Sequence, residues 1–186
     1  PFGGALKKNI FVKSGYAVYE QTHAIQNEFS KIRYFIDKKK YDEMKYFHLN
    51  PGDLIISCSG TIGKVSIAPK GLKKGIINQA LLKLTPKKNI LADYVKLLLE
   101  SEYFQIKVSE NARGAAINNM VSVKILKEVM VPSPSLNIQK KIIKKIKSIE
   151  SQIFELNEIQ NKQSILIKEL GSSLMGKAFT GNLKLD

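Results

Sequence analysis

The most regular pattern in the sequence is a stripe of apolar residues that recur at alternating spacings of four and three, starting at position 142. Such spacing predicts an amphipathic helix, and no proline or glycine interrupts residues 136–170. Ser135 or Asn137 can cap the start of this helix by accepting a backbone N–H. With two glutamines filling a gap, the stripe consists of Ile142, Ile146, Ile149, Ile153, Leu156, Gln160, Gln163, Ile167, Leu170 and Leu174.

A helix from Asn137 to about Leu174 would be roughly 55 Å long at about 1.5 Å per residue. The front of the chain alone could not cover a stripe of that length, so we expect the helix to form a coiled coil and the chain to be a dimer. Gln160 and Gln163 occupy successive a and d positions, where polar residues weaken a coiled coil but can fix its register. The alternative is a helix folded back on its own domain.

Ahead of this helix, strands come first and helices second. Apolar residues alternate with small or polar ones over Asp53 to Ser59 and over Ile62 to Ala68, and Gly75 to Leu84 fits a third strand. From Leu91 to Glu110 the spacing becomes helical, with a break near Ser101. Strands followed by helices, without regular alternation, predict an α+β fold.

Two prolines in the stretch Val131-Pro-Ser-Pro-Ser135 predict the domain boundary, because each disfavours helix in the residue before it. Just ahead of them, residues 122–128 could add a short helix and residues 129–131 a strand. We therefore divide the chain into a globular domain (1–135), a long dimerisation or spacer helix (136–175) and a C-terminal tail (176–186).

The charge of the chain indicates which class of partner it binds. The 186 residues include 30 Lys and Arg against 16 Asp and Glu, a formal net charge of +14. Residues 1–135 hold 21 of the basic and 11 of the acidic side chains, so a net +10 lies in the globular domain. A positive field of this size attracts polyanions. Nucleic acid is therefore the first expected partner.

The cysteine and histidine content of the sequence indicates neither a disulfide nor a metal site. Cys58 is the single cysteine and cannot form an internal disulfide, and with His23 and His48 it provides no closely spaced metal-ligand set. The two isolated histidines are expected to be structural or solvated. No apolar stretch approaches the roughly 18 residues needed to span a bilayer. These features predict a cytoplasmic protein that binds neither metal nor membrane.

No catalytic group emerges from the motifs. The segment Gly171-Ser-Ser-Leu-Met-Gly-Lys-Ala178 nearly matches a phosphate-binding loop, but alanine replaces the hydroxyl residue that ligates magnesium. A long helix precedes it where that loop requires a strand, so Gly171 or Gly176 is expected to end the helix instead. Three residues have the types of a nuclease site but too close a spacing, and we interpret them as surface charges: Asp37, Glu43 and Lys45.

The expected phosphate contacts are lysines and a glycine-punctuated loop. The loop Ser59-Gly-Thr-Ile-Gly-Lys64 can hold phosphate through backbone N–H groups and its lysine. Ten of the 15 aromatic residues lie in the first 47 positions, where they could stack on unpaired bases or form strands and core. The candidate phosphate contacts are Lys7, Lys8, Lys38, Ser59, Gly60, Thr61 and Lys64.

Two stretches are candidate base readers, because arginine can pair with guanine and asparagine with adenine in the major groove. The first is the small-residue loop from Arg113 to Asn118 and Asn119, which could equally be an ordinary connector. The second is Asn78-Gln79, inside a strand-like run. That pair could read bases or be a satisfied polar pair in the sheet.

Six segments, taken in order, resemble a known family. They are similar to one target recognition domain and the following helical region from the DNA-specificity subunits of type I restriction-modification systems. The segments are Pro1-Phe-Gly-Gly-Ala-Leu-Lys7, Leu49-Asn-Pro-Gly-Asp-Leu-Ile-Ile56, Ser59-Gly-Thr-Ile-Gly-Lys64, Ile77-Asn-Gln-Ala-Leu-Leu82, Val131-Pro-Ser-Pro-Ser-Leu-Asn-Ile-Gln139 and Ser173-Leu-Met-Gly-Lys-Ala-Phe-Thr-Gly-Asn-Leu183.

The resemblance implies a non-catalytic module that reads half of a split double-stranded DNA site and docks methyltransferase subunits, which would bind S-adenosylmethionine in its place. Restriction subunits could join them. Family members generally have two recognition domains separated by two long antiparallel helices, whereas this chain has one of each. It is therefore the C-terminal half of such a subunit or a half-subunit that pairs with a second copy. A 55 Å spacer would separate the half-sites by about 16 base pairs.

Two other classes of protein remain open. A stand-alone nuclease or methyltransferase is disfavoured by the lack of a catalytic cluster in the sequence. A basic RNA-binding or structural protein, dimerised by its coiled coil, would instead prefer single-stranded RNA to a split duplex site.

Overall fold

The computed structural model describes residues 1–58, 61, 63–111, 126 and 129–181. The chain divides into two compact units, Pro1–Lys140 and Lys141–Asp186. The first is called the globular unit. The described strands are β1 (Tyr16–Tyr19), β2 (Tyr34–Ile36), β3 (His48–Leu49), β4 (Leu54–Ser57), β5 (Val65–Ile67), β6 (Gly75–Ile77) and β7 (Leu81–Leu84). The described α-helices are α1 (Gln21–Gln26), α2 (Lys38–Glu43), α3 (Ala92–Glu100), α4 (Glu102–Asn111) and α5 (Leu136–Phe179), and short 3-10 helices lie at Lys8–Ile10 and Lys45–Phe47. The predicted α+β class, with a long helix after a globular domain, is confirmed.

Four strands of the first unit form a mixed sheet in the order β2-β1-β6-β3. The pairs β1–β2 and β3–β6 are antiparallel, whereas β1 and β6 run parallel at the centre of the sheet. Gly75 of β6 stands opposite Ala17 of β1, and a Cβ on Gly75 would lie 2.2 Å from the Ala17 carbonyl oxygen. Only glycine allows this close approach of the two backbones.

The strand β4 is the centre of a second, antiparallel sheet with the order β5-β4-β7. Successive side chains of a strand point to opposite faces, and those of β4 enter two different cores. Ile55 packs with Tyr19 and Ala24, whereas Leu54 and Ile56 pack with side chains of α3 and α4. The expected alternation with polar residues is wrong for β4, where three apolar residues follow one another because the strand is buried on both faces.

The prediction of one strand from Gly75 to Leu84 is wrong, because two strands in different sheets occupy this stretch. A turn at residues 78–80 separates them: the Leu81 N–H donates to the Asn78 carbonyl, and the Ala80 N–H donates to the Asn78 side-chain Oδ1. Asparagine favours such turns because its side chain can replace a backbone acceptor. The chain thus crosses from the first sheet to the second within three residues.

Two helices occupy the stretch with helical spacing, and the predicted break at Ser101 is confirmed. Ser101 has an extended backbone (ψ 146°), and its Oγ accepts the Phe104 N–H at the start of α4. The predicted strand at 129–131 is wrong, since these residues pair with no strand. Of the short helix predicted at 122–128, only residue 126 lies within the described part of the chain.

The heptad spacing correctly predicts α5, which has 44 residues and is about 66 Å long at about 1.5 Å per residue. The Ser135 carbonyl accepts the Gln139 N–H at its start, so Asn137 lies inside the first turn and is not a cap. Among the described residues, no helix combines the length and the apolar character that crossing a membrane requires.

Two glycines were expected to end this helix, and that prediction is wrong. α5 passes through Gly171 and Gly176 and continues to Phe179, and Gly181, with φ +71°, follows. A glycine inside a helix costs only about 1 kcal/mol relative to alanine. Neither glycine is therefore enough to stop a helix of this length.

Candidate nucleic-acid interface

Ser57 closes the loop between β4 and β5 that carries Lys64. Its buried Oγ donates to the Thr61 carbonyl at 2.5 Å and accepts the Lys64 N–H at 3.0 Å. Backbone bonds tighten the loop further, since the Gly63 N–H donates to the Ser57 carbonyl and Gly63 has φ +83°. One side chain thus holds both arms of the loop and presents Lys64 to solvent. The Ser57 role was missed in the sequence, where the residue reads only as the end of a strand.

The turn between β6 and β7 lies directly beside this loop. The Cys58 N–H donates to the Ala80 carbonyl at 2.9 Å, which joins the two segments. Gln79 is exposed at the tip of the turn. Asn78 is half-buried and its Oδ1 holds the turn through the Ala80 N–H. Of the two candidate base readers in this turn, Gln79 is therefore the freer side chain.

The N-terminal segment also contacts this turn. Gly4 forms a parallel bridge with Asn78, and a Cβ on Gly3 would lie 1.9 Å from the Asn78 carbonyl oxygen. The glycine pair thus allows the segment to lie against the turn. Lys7 and Lys8 follow within four residues and are exposed. The Lys64 loop and the Asn78-Gln79 turn thus adjoin each other, and the segment that leads to Lys7 and Lys8 begins against the same turn.

Lys38 differs from the other three lysines because a carboxylate neutralises its charge. It lies on α2 and pairs with Asp42 one turn later, and this hydrogen bond raises the pKa of Lys38 above its usual value. The same contact lowers the pKa of Asp42. Because Asp42 compensates its charge, the structure supports Lys38 least among the four lysines predicted to contact phosphate.

The three residues interpreted as surface charges are confirmed in that role where the structure gives their contacts. Asp37 caps α2 by accepting the Lys40 N–H, and Glu43 pairs with the Lys40 side chain at 3.1 Å. Lys45 is exposed. In the part of the chain that the structure describes, no group of three or more His, Cys, Asp or Glu side chains could hold a metal ion.

Five of the predicted DNA contacts have no described geometry. The candidate base-reading loop and part of the candidate phosphate loop lie outside the described residues: Arg113, Asn118, Asn119, Ser59 and Gly60. Their roles stay predictions.

The aromatic residues near the N-terminus pack mainly on one another and favour the strand-and-core interpretation. Tyr16 stacks on Tyr41 with 3.9 Å between ring centroids, and Tyr41 stacks in turn on His48 at 3.7 Å. Burial raises the pKa of Tyr19 to about 12, and its hydroxyl donates to the Lys73 carbonyl. Tyr46, which is 72% exposed, is the aromatic side chain here most open to a ligand.

Both histidines have structural contacts. His23 is buried, with Nδ1 at 2.9 Å from the Glu20 backbone nitrogen and Nε2 at 3.1 Å from the Lys31 carbonyl. The His48 ring contacts the Tyr41 carbonyl through Nε2. The expectation of structural histidines is confirmed.

A buried polar group that the sequence did not reveal links the two sheets. Lys83 of β7 donates to the His48 carbonyl of β3, and its Nζ is 4.0 Å from Asp53 Oδ2. Asp53 also accepts the Thr85 hydroxyl at 2.6 Å and the Asn50 N–H at 2.9 Å. Each charge is hydrogen-bonded, as buried charges require. The alternation of Lys83 with leucines hid this role, since lysine is rarely buried.

Cys58 should resist thiol reagents while the protein is folded. Burial raises the pKa of its thiol to about 12, so the reactive thiolate at pH 8 is roughly a thousandfold scarcer than for an ordinary cysteine. We expect slow reaction with an aromatic disulfide at pH 8 and fast reaction after unfolding in urea. Equal rates in the two states would contradict the burial of this thiol.

Comparison with known proteins defines the class. The family model "Type I restriction modification DNA specificity domain" matches residues 2–166. The match covers the globular unit and most of α5, so the chain belongs to this family of DNA specificity domains.

Curated relatives from a bacterium and an archaeon agree with the family. The chain is 23% identical over 142 residues to the type I restriction enzyme EcoBI specificity subunit of Escherichia coli. It is 30% identical over 133 residues to the MjaX specificity subunit of Methanocaldococcus jannaschii. These matches cover 76% and 72% of the chain but only 30% and 29% of the relatives. The chain thus matches less than a third of either relative's length.

Solved structures share the fold. The HsdS subunit from Thermoanaerobacter tengcongensis superposes with a TM-score of 0.66 over 98% of this chain and 42% of its own length, at 19% identity. A chain from a structure of the type I R-M system, described for its complex assembly and conformational transition, gives 0.68 over 98% and 43%, also at 19% identity. At this identity the likeness concerns the fold.

Proposed function

We propose that this chain reads one half of a bipartite double-stranded DNA site and docks the methyltransferase subunits of a type I restriction-modification complex. The chain itself has a non-catalytic role, and the methyltransferase subunits supply S-adenosylmethionine and the methyl transfer. Restriction subunits join the same assembly. The second half-site is read by another copy of this chain or by the other half of a longer subunit.

The observation that carries this proposal is the meeting of three segments around the turn at residues 78–80. The Cys58-to-Ala80 bond and the Gly4–Asn78 bridge hold the segments together, and Lys7, Lys8 and Lys64 are exposed on them. Within the described ranges no carboxylate pairs with these three lysines, which suits phosphate contacts, and an exposed amide such as Gln79 suits a base edge. A net charge of +14 adds a long-range attraction to DNA.

The proposal is tested by purifying the chain from its host together with any methyltransferase subunits that bind it, and mapping the methylated bases in host DNA. We expect a two-part recognition sequence with a fixed gap. Methylation or cleavage by the chain alone would identify a stand-alone enzyme instead. Preference for single-stranded RNA over duplex DNA would identify an RNA-binding protein.

Lys64→Ala should weaken binding to every duplex sequence to a similar extent. A lost phosphate contact removes one released counterion, so the slope of log affinity against log salt should fall by about 0.9. The measurement is fluorescence anisotropy with cognate and random duplexes over a range of salt concentrations.

The matched variant is Gln79→Ala in the adjoining turn. If Gln79 reads a base, its loss should cost about 1–3 kcal/mol at one base position and leave the salt slope unchanged. Equal losses of affinity from both variants on cognate and random DNA would contradict the assignment of Lys64 to phosphate and Gln79 to a base.

A further inference from the structure

Gln139 is a fully buried amide in the first turn of α5, with 0% of its surface exposed. Its Nε2 donates to the Asn89 carbonyl at 3.1 Å and to the Pro134 carbonyl at 2.7 Å. Its Oε1 accepts the Leu91 N–H at 2.8 Å. Both hydrogens of the amide and its oxygen are thus used. The reverse orientation would place oxygen against two carbonyls, so the side chain has only one productive position.

These bonds join the start of α5 to the start of α3. Leu91 is the residue immediately before α3, and its side chain provides no cap, so Gln139 satisfies an N–H that the helix itself leaves unpaired. Tyr94, in the first turn of α3, donates its hydroxyl to the Pro132 carbonyl at 3.1 Å. The connector with two prolines is therefore held at Pro132 and Pro134 by side chains on both helices.

We infer that Gln139 is a positioning residue that fixes the start of α5 on the globular unit. It thereby holds the gap between the two half-sites at one length. The inference rests on the proposed function, because a gap exists only if two units read one bipartite site. A spacer transmits its length as a fixed distance only when its end is fixed. An exposed connector without the Gln139 and Tyr94 bonds would let neighbouring gaps be read with similar affinity.

The substitution Gln139→Glu is nearly isosteric and tests the bonds without changing the volume. A carboxylate can still accept the Leu91 N–H, but it turns an acceptor toward the carbonyls of Asn89 and Pro134. Gln139→Leu removes all three bonds. Asn161→Asp makes the same amide-to-acid change at an exposed position of α5 and serves as the control. Tyr94→Phe is a milder second variant, since it removes one hydroxyl and keeps the ring.

The first measurement needs no DNA. Spin labels are attached at two exposed positions, Lys70→Cys in the globular unit and Lys162→Cys in α5, and report the distribution of distances between them. The labelled chain is diluted with an excess of unlabelled chain, and the half-buried Cys58 is left in place. We expect one narrow distribution in the wild-type background and in Asn161→Asp. Gln139→Glu and Gln139→Leu should raise roughly tenfold the fraction of molecules in which the start of α5 has separated from α3, which corresponds to about 1.4 kcal/mol. Tyr94→Phe should raise it by a smaller factor.

The second measurement uses the complex with methyltransferase and a pool of duplexes whose gap varies by single base pairs. We expect the Gln139 variants to lose roughly tenfold in discrimination against a gap changed by one base pair, with the half-site bases unchanged. A merely structural role would weaken all gaps equally. Distance distributions that stay narrow in both Gln139 variants would overturn the inference, as would broadened distributions with undiminished gap discrimination. A wild-type complex without any gap preference would overturn the proposed function. The distance data would still show whether Gln139 fixes the start of α5.

Discussion

Deleting residues 147–153 from α5 should shorten the preferred gap between half-sites by about three base pairs. Seven residues of helix contribute about 10 Å, and duplex DNA advances about 3.4 Å per base pair. The deletion removes one complete heptad, so position 154 follows position 146 with the a and d pattern preserved. The globular unit is untouched, and the half-site bases should therefore stay the same.

The gap is measured by mapping methylated sites in host DNA, or by selecting binding duplexes from a pool with gaps of all lengths. Duplicating residues 147–153 is the matched control and should lengthen the gap by about three base pairs. Removing only residues 147–150 would leave two successive spacings of three in the apolar stripe, which locally overwinds a coiled coil and should weaken pairing of the helix. An unchanged gap with altered half-site bases would contradict the role of α5 as a spacer.

The long helix and the break at Ser101 could be predicted because their signals are local. Alternating spacings of four and three need no knowledge of the rest of the chain, and a serine between two helical stretches is a ready cap. The end of α5 was harder to predict. Gly171 and Gly176 have nothing within 4 Å of a built Cβ, and glycine in open space weakens a helix without ending it.

The two-sheet arrangement could not be predicted because it depends on contacts between distant residues. Nothing near Gly75 in the sequence shows that Ala17 will lie against it, and the run to Leu84 reads as one apolar strand. The decisive feature is the Asn78 side chain, which bonds the Ala80 N–H and turns the chain. A single hydrogen bond of this kind leaves no periodic trace in the sequence.

The candidate site was predictable in its residue types and not in its geometry. Exposed lysines and amides could be identified by composition, but the Cys58-to-Ala80 bond that joins their segments is non-local. Lys38 shows the opposite case. Asp42 stands four residues later on the same helix, a spacing that places the two charges side by side, so its compensation was readable from the sequence.

Replacing Ile149 and Ile153 together by aspartate should abolish pairing of α5. In the chain taken alone, Ile153 is 52% exposed, and its neighbours in the stripe are similarly open, which leaves a large apolar surface for a partner helix. Burying one isoleucine side chain contributes about 1.5–3 kcal/mol. Two losses in each of two chains, with added charge, should therefore raise the dissociation constant of the dimer at least about a thousandfold, equivalent to about 4 kcal/mol.

Sedimentation equilibrium measures this association, and circular dichroism should show a parallel loss of helix, because an unpaired helix is marginal in water. Phe154→Asp is the matched control: Phe154 is also exposed, at 66%, but it lies at a b position outside the stripe. We expect it to change dimerisation little. Equal losses from the control and the double variant would contradict a specific seam. A wild-type chain that sediments as a monomer at high concentration would contradict pairing between copies and leave the other half of a longer subunit as the partner.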